Sequence, residues 1–327
     1  YSRMFASEYQ DGRKSNEQKF HDLASRAYAI DPNNPEAVSA YSRSFNLKKD
    51  FSQRLKYAKA ALDLNPSHAF SNNDYGLALS NIKRFEEYGT HIEKAMELNP
   101  DYPYLKGALR YIKNTLCEWD NYEKDIKNIE NEIKNKKKVA TPWQGLSLFS
   151  SPKIQFENTI LFARNKNKNS IPIISKREKI NLAYFSADFC EHAVSNQLSQ
   201  ILKLHDKNKF NTIGFYLGNK KDTRLSEVKN SFDKFINVFQ KSTNEISKLT
   251  KSHNIDIAVD LMGFTKGNKY EIFRSRCAPI QVSYLGFPGT TGLSNMDYLI
   301  ADQNVILDNF RKFYSEKIIY MPNSYMP

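Results

Sequence analysis

The hexapeptide Ala27-Tyr28-Ala29-Ile30-Asp31-Pro32 returns as Ala61-Leu62-Asp63-Leu64-Asn65-Pro66 and again as Ala95-Met96-Glu97-Leu98-Asn99-Pro100, 34 residues later each time. Each copy sets a small alanine where two helices must approach and an aliphatic residue three positions on. An Asp-Pro or Asn-Pro pair then ends the helix, because proline cannot continue it. Working outward, the interval between prolines divides into two amphipathic segments, 35–47 with 51–64 and then 69–82 with 85–98. No such helical pair can bury its own apolar face, so successive pairs must stack.

A 34-residue period with these marks is the tetratricopeptide signature, and Tyr75-Gly76 matches the turn-facing pair of that consensus. A fourth, irregular unit starts near Pro103 and runs through Leu105, Leu109, Tyr111 and Ile112 to Leu116-Cys117-Glu118-Trp119, with Trp119 expected as a buried cap. The stack leaves a concave groove suited to a peptide, so the function predicted for this half is binding. A Lys-, Glu- and Asn-rich helix over 122–138 fades into a surface linker. Thr141-Pro142 restarts the chain with a turn and a helix over 143–149 and 154–163, before a polar tract at 165–169. The expected organisation is a repeat domain over 1–138, a helical linker over 139–178 and a second domain over 179–327, entered at about 170–178.

From Lys179 short apolar runs alternate with amphipathic segments, the pattern of a parallel sheet wrapped by helices. Strands are predicted at 180–185, 210–217, 235–238, 255–261, 280–285 and 298–301, and helices at 194–205, 223–232, 244–253 and 268–274. Ligands of such sheets bind outside the carboxyl ends of the strands, and three segments of unusual chemistry fall there. Ser186-Ala187-Asp188-Phe189-Cys190-Glu191-His192 offers an acid and a base beside a helix amino terminus. Gly263-Phe264-Thr265-Lys266-Gly267 offers a hydroxyl, a cation and two flexible residues. Leu285-Gly286-Phe287-Pro288-Gly289-Thr290-Thr291-Gly292 carries glycines where a backbone can approach a ligand closely. Each motif alone is weak; their convergence on one sheet edge is what marks a site. Cys190 and His192 lie two residues apart in a turn that points their side chains apart, which argues against a Cys/His nucleophile.

Composition narrows the classes. The 327 residues suffice for about two domains, and 40% hydrophobic with 13% aromatic residues excludes a disordered chain. Mean hydropathy is −0.64 and no stretch approaches a membrane span, since even the apolar segment at 255–264 contains Asp256 and Asp260. Cys117, Cys190 and Cys277 form no paired motif, which fits a reducing cytosol and hence a cytoplasmic protein. The net charge of +12 is spread over lysines among asparagines, without an aromatic RNA-binding signature, so neither a nucleic-acid nor a membrane partner is expected. No Walker loop, GxGxxG or metal-ligand spacing is present.

Tetratricopeptide units, Leu116-Cys117-Glu118-Trp119, YFSADFCEHAVSNQL at 184–198, VDLMGFTKG at 259–267, APIQVSYLGFPGTTGLSNMDYLIAD at 278–302 and YSEKIIYMP at 314–322 together resemble the protein O-linked N-acetylglucosamine transferase family, in its SPINDLY-like bacterial branch. The resemblance spans nearly the whole chain. It implies an α + α/β architecture: a tetratricopeptide-repeat α-solenoid followed by the first Rossmann-like lobe of a GT-B glycosyltransferase. The implied activity is inverting transfer of N-acetylglucosamine from UDP-GlcNAc to Ser or Thr of protein acceptors, with no cofactor beyond the nucleotide-sugar donor and no metal. Asp188 and His192 match the family's residues near the reacting centre. Thr265 and Lys266 match its Gly-aromatic-Thr-Lys motif, and Leu285, Gly286, Phe287, Pro288 and Gly289 match the loop that lines the donor sugar. The implied partners are a protein or peptide acceptor in the repeat groove, the nucleotide sugar, and a second copy of the chain through the repeats.

Departures from the family pattern carry expectations of their own. Ala193 and Val194 follow His192 where the family often has Pro and Thr, Tyr284 replaces a usual Trp, and Phe287 stands where Tyr is common. Animal members supply a further His between repeats and catalytic domain, but 141–165 contain none, so the base is left open. Ala40 and Asp74 occupy positions where animal members place groove asparagines, so acceptor recognition should differ. The chain opens on Tyr1 rather than Met, and the family's second, nucleotide-holding lobe would follow the last residues given. The expectation is therefore an amino-terminal fragment, inactive alone. Two alternatives stay open: a GDP-fucose-dependent protein O-fucosyltransferase, and a peptide-binding scaffold without activity.

Overall fold

The computed structural model describes residues 17–163 and 177–327; the polar tract at 165–169 and the start of the expected entry into the second domain lie outside the described residues. The chain divides near residue 162 into a helical unit and a sheet unit.

The helical unit opens with α1 (Glu17–Ile30), α2 (Pro35–Lys48), α3 (Phe51–Leu64), α4 (Ala69–Asn81) and α5 (Phe85–Leu98). Asn34 starts α2 by accepting the Glu36 and Ala37 amides, with Pro35 at the first helical position, and Asp50 caps α3 through the Gln53 amide. Ala61 and Ala95, two copies of the repeated alanine, are fully buried. Gly76 is needed where α4 meets α5: a Cβ there would stand 2.9 Å from the Tyr88 ring. Adjacent repeats are tied by a buried ion pair. The Arg54 guanidinium on α3 donates to both carboxylate oxygens of Asp74 on α4, at 2.7 and 3.1 Å, and to the Ser42 hydroxyl at 2.6 Å.

The irregular unit comprises α6 (Leu105–Thr115) and α7 (Tyr122–Lys134), followed by α8 (Pro142–Leu148) and α9 (Pro152–Ala163). Trp119 is 56% exposed, against the expectation of a buried cap. The reason is Arg110, whose buried guanidinium takes the interior and binds the carbonyls of Glu118 and Asp120 and the Asp125 carboxylate. With the backbone of 118–120 turned inward to serve Arg110, the indole is left outside, edge-on to Tyr122. Residues 138–140 run along α6, where the Gly107 amide donates to the Val139 carbonyl at 2.7 Å. Ile129, Ile133, Val139, Ala140, Leu148, Phe149 and Ile154 form one apolar cluster. Residues 139–162 thus pack within the helical unit.

The sheet unit has seven parallel strands in the order β3-β2-β1-β4-β5-β6-β7. They are β1 (Ile180–Ser186), β2 (Phe210–Tyr216), β3 (Lys234–Asn237), β4 (Ile257–Asp260), β5 (Ile280–Ser283), β6 (Tyr298–Ala301) and β7 (Lys317–Tyr320). Connecting helices are α10 (Ala193–Leu204), α11 (Thr223–Ser231), α12 (Thr243–Ser252) and α13 (Glu271–Arg274). A repeat array followed by a Rossmann-like parallel sheet is the fold class expected from sequence, with β7 added. Lys317–Tyr320 lies at the sheet edge and follows a 3-10 turn (Asp308–Phe313) rather than a crossover helix, so no alternation announces it. Leu182, Tyr184, Val259 and Val282 face one side with Leu198 and Leu202 of α10, while Phe185 stacks on Phe215 at 4.6 Å on the other. The strand order reverses between β1 and β4, the switch point where such sheets open a crevice at their carboxyl ends.

Candidate active site

All three candidate loops leave the carboxyl ends of strands at or beside that switch point. After β1, the Asp188 amide donates to the Ser186 hydroxyl at 2.9 Å, and buried Phe189 anchors the turn. His192 is the N-cap of α10: its Nδ1 accepts the Val194 amide at 3.3 Å. A neutral ring held this way carries its proton on Nε2. His192 Nδ1 and Asp188 Oδ2 are 3.9 Å apart, too far for a hydrogen bond, so the pair communicates through charge. The Asp188 side chain is 21% exposed and that of His192 44%. Burial pushes the Asp188 carboxyl up from its ordinary value, and the charges of His192 and Lys220 oppose that shift. The Cys190 thiol is buried and raised chiefly by that burial, the reverse of an activated nucleophile.

The loop after β4 is built on Asp260, a buried carboxylate that accepts the amides of Met262 at 2.9 Å and Gly263 at 3.2 Å. Burial pushes Asp260 up to about 6 against those two donors. Gly263 has φ +53° and lies so close to Phe287 that a Cβ would stand 2.4 Å from the Phe287 Cβ. The Met262 sulfur receives the Ala187 amide at 3.2 Å, and Gly267 faces the Ala187 Cβ, which joins this loop to the first. Thr265 spends its hydroxyl proton on the Met262 carbonyl at 2.9 Å, leaving its oxygen as an acceptor, and Lys266 is exposed.

After β5 the chain turns at Leu285, whose φ of +69° is a strained value for a branched residue outside a glycine position. Gly286 then presses on β4: a Cβ would stand 1.9 Å from the Leu261 carbonyl oxygen. Phe287 is buried edge-on to Phe264 at 5.4 Å, so it underpins the loop, whereas Pro288 is exposed and Gly289 half-buried. Beneath the loop lies a cavity of about 20 Å³ lined by Tyr284, Leu285, Phe287, Pro288 and Ile300 among others, room for one water and no sugar.

Sequence reading missed Glu316, which stands just before β7. Its buried carboxylate accepts the Thr290 hydroxyl and the Thr291 amide, each at 2.7 Å, and the Thr291 hydroxyl. Burial raises Glu316, and the three donors oppose that shift. The signal lay in the motif containing Glu316, but nothing local joined it to a loop 25 residues away. Lys269 was also missed; its buried amine donates to the carbonyls of Val238, Phe239 and Lys241 and so closes the β3 end of the crevice. Among the described residues no group of three His, Cys, Asp or Glu is placed to hold a metal ion.

Residues 152–326 match the sequence profile of glycosyl transferase family 41. A probable UDP-N-acetylglucosamine–peptide N-acetylglucosaminyltransferase of Arabidopsis thaliana, SEC, is 33% identical over 149 residues, 45% of this chain and 15% of the relative. The UDP-N-acetylglucosamine–peptide N-acetylglucosaminyltransferase of Caenorhabditis elegans is 30% identical over 154 residues, 46% of this chain and 13% of the relative. The matched stretch is thus a small part of the length of these relatives. A solved O-GlcNAc transferase of Thermobaculum terrenum, the K341M mutant, superposes with a TM-score of 0.62 at 20% identity, covering 98% of this chain and 56% of that one, which is a likeness of fold.

Proposed function

Because the chain belongs to glycosyl transferase family 41, we propose that it carries one wall of the active site of an inverting protein O-glycosyltransferase. The reaction moves N-acetylglucosamine from UDP-GlcNAc to Ser or Thr hydroxyls. The observation that carries this reading is the tying together of the three loops at the switch point, with Asp188 and His192 at the start of α10. Displacement at the anomeric carbon puts positive charge on the sugar and negative charge on the departing diphosphate, and the acceptor hydroxyl must lose a proton. The exposed side of His192 meets the acceptor. With Nδ1 taken by the Val194 amide, the ring presents its Nε2–H to the acceptor oxygen and orients it, and the partly exposed Asp188 carboxylate beside it is the group placed to receive the hydroxyl proton. The exposed amine of Lys266 and the outer face of 285–289 contact the donor, with Thr265 as an acceptor for a sugar hydroxyl. The donor serves as substrate, and no metal enters this scheme.

The protein acceptor approaches along the groove of the helical unit. Asp74 is only 2% exposed and is committed to Arg54, which supports recognition by groups other than the groove residue at this position in the repeat. Three free cysteines suit a reducing, cytoplasmic setting. The test is transfer of labelled sugar by the full-length gene product carrying Asp188→Ala or His192→Ala. Each substitution is expected to cut turnover by about 10²- to 10⁴-fold, the range for a positioned acid or base, with His192→Ala also costing about 1 kcal/mol of stability through the lost helix cap. Unchanged turnover in both variants refutes the assignment.

A further inference from the structure

We propose that Glu316 is a positioning residue that holds the 285–292 loop in the shape that receives the donor sugar, an inference that rests on the reading of this loop as donor-facing. The hydroxyl protons have nowhere else to go. Thr290 Oγ1 already accepts the amides of Gly292 and Ser315, each at 3.1 Å, so its proton points to Glu316 Oε2. Thr291 Oγ1 accepts the Leu293 amide at 3.3 Å, so its proton points to Oε1, beside the Thr291 amide that donates to the same oxygen. The carboxylate therefore faces three donors, two on one oxygen and one on the other. Both threonines are buried, which keeps water from replacing either bond.

A carboxamide cannot substitute. Its single oxygen satisfies either the Thr291 pair or Thr290, and its NH2 then confronts a donor on the other side. Glu316→Gln thus keeps shape and volume while breaking the clamp on one threonine. The loop it holds is strained, with Leu285 at φ +69° and Gly286 pressed on the Leu261 carbonyl, and such a conformation persists only where its surroundings impose it.

The experiment compares Glu316→Gln, Thr290→Val and Thr290→Ser in the full-length product. Hydrogen exchange of amides 285–293 and KM for UDP-GlcNAc against kcat and acceptor KM are the readouts. Glu316→Gln and Thr290→Val are expected to speed exchange in 285–293 by about tenfold or more, the scale for hydrogen bonds to a charged group. Exchange in β1 should stay unchanged. Donor KM rises by a similar factor while acceptor KM holds, and Thr290→Ser, which keeps the hydroxyl, restores wild-type behaviour. Should Glu316→Gln fail to fold, the Thr290→Val and Thr290→Ser pair decides alone. Unaltered exchange in the loop, or faster exchange with unaltered donor KM, overturns the inference. Pro288→Trp, which adds bulk to the exposed face, separates the two readings. If it raises donor KM while the clamp variants do not, the loop is donor-facing and Glu316 does not position it. If it leaves donor KM untouched, the donor-facing reading itself fails and the inference falls with it.

Discussion

Replacing Asp260 by Asn should flatten the pH dependence of stability in the sheet unit. Asp260 is fully buried at the end of β4, and burial raises it from 3.8 to about 6. Between those values the folded chain holds a proton that the unfolded chain has released, so stability falls as pH rises through this window. The contribution is complete below about 3.8 and lost above about 6. At 1.36 kcal/mol per decade the gap amounts to about 3 kcal/mol. Asparagine does not titrate here, so the difference between wild type and Asp260→Asn should move by about 3 kcal/mol between pH 4 and pH 7, with the wild type gaining at the acid end. Tryptophan fluorescence cannot report it, because Trp119 and Trp143 both lie in the helical unit. The suitable probe is exchange protection of the Leu261 amide, which donates to the Phe185 carbonyl at 3.1 Å and joins the ends of β4 and β1. Parallel pH profiles for the two proteins refute the argument, since every other titrating group is common to both.

Gly286→Ala places a methyl 1.9 Å from the Leu261 carbonyl oxygen, a backbone atom that cannot rotate away. We expect about 1–3 kcal/mol of destabilisation and faster proteolysis within 285–293, and an unchanged digest refutes the close approach. Arg54→Ala leaves the buried Asp74 carboxylate with the Arg43 guanidinium, 3.8 Å away, in place of its two closest donors and should cost the helical unit up to about 3–5 kcal/mol in a melt followed by tryptophan fluorescence. Arg54→Met with Asp74→Leu should recover most of the loss, and a single variant melting like wild type refutes the pairing.

What the sequence discloses depends on how far apart the partners lie. The helices 51–64 and 85–98 have the observed bounds because period, cap and proline all act within one turn of the helix they define. Strands β1 and β2 are legible as apolar runs buried on both faces. β7 is not: an edge strand of four residues with alternating exposure carries no such run. The rule that ligands sit at strand ends found the three loops, because a strand and the loop leaving it are contiguous. Which side chains in those loops face solvent was not legible. Phe287 reads as a lining residue in a glycine-rich turn, yet Gly263, 24 positions upstream, makes the space that buries it. Trp119 fails for a related reason. Aromatic size argues for burial, but Arg110 lies nine residues earlier and claims the same interior with hydrogen bonds that an indole cannot make. Arg54 and Glu316 look like ordinary surface charges in their own segments, and only Asp74 and the Thr290-Thr291 pair turn them into buried anchors. Apolar burial writes a period into the chain, whereas a polar tie between distant segments writes none. The residues that give this crevice its shape are mostly ties of that second kind, so it is the fold rather than the motif that reveals them.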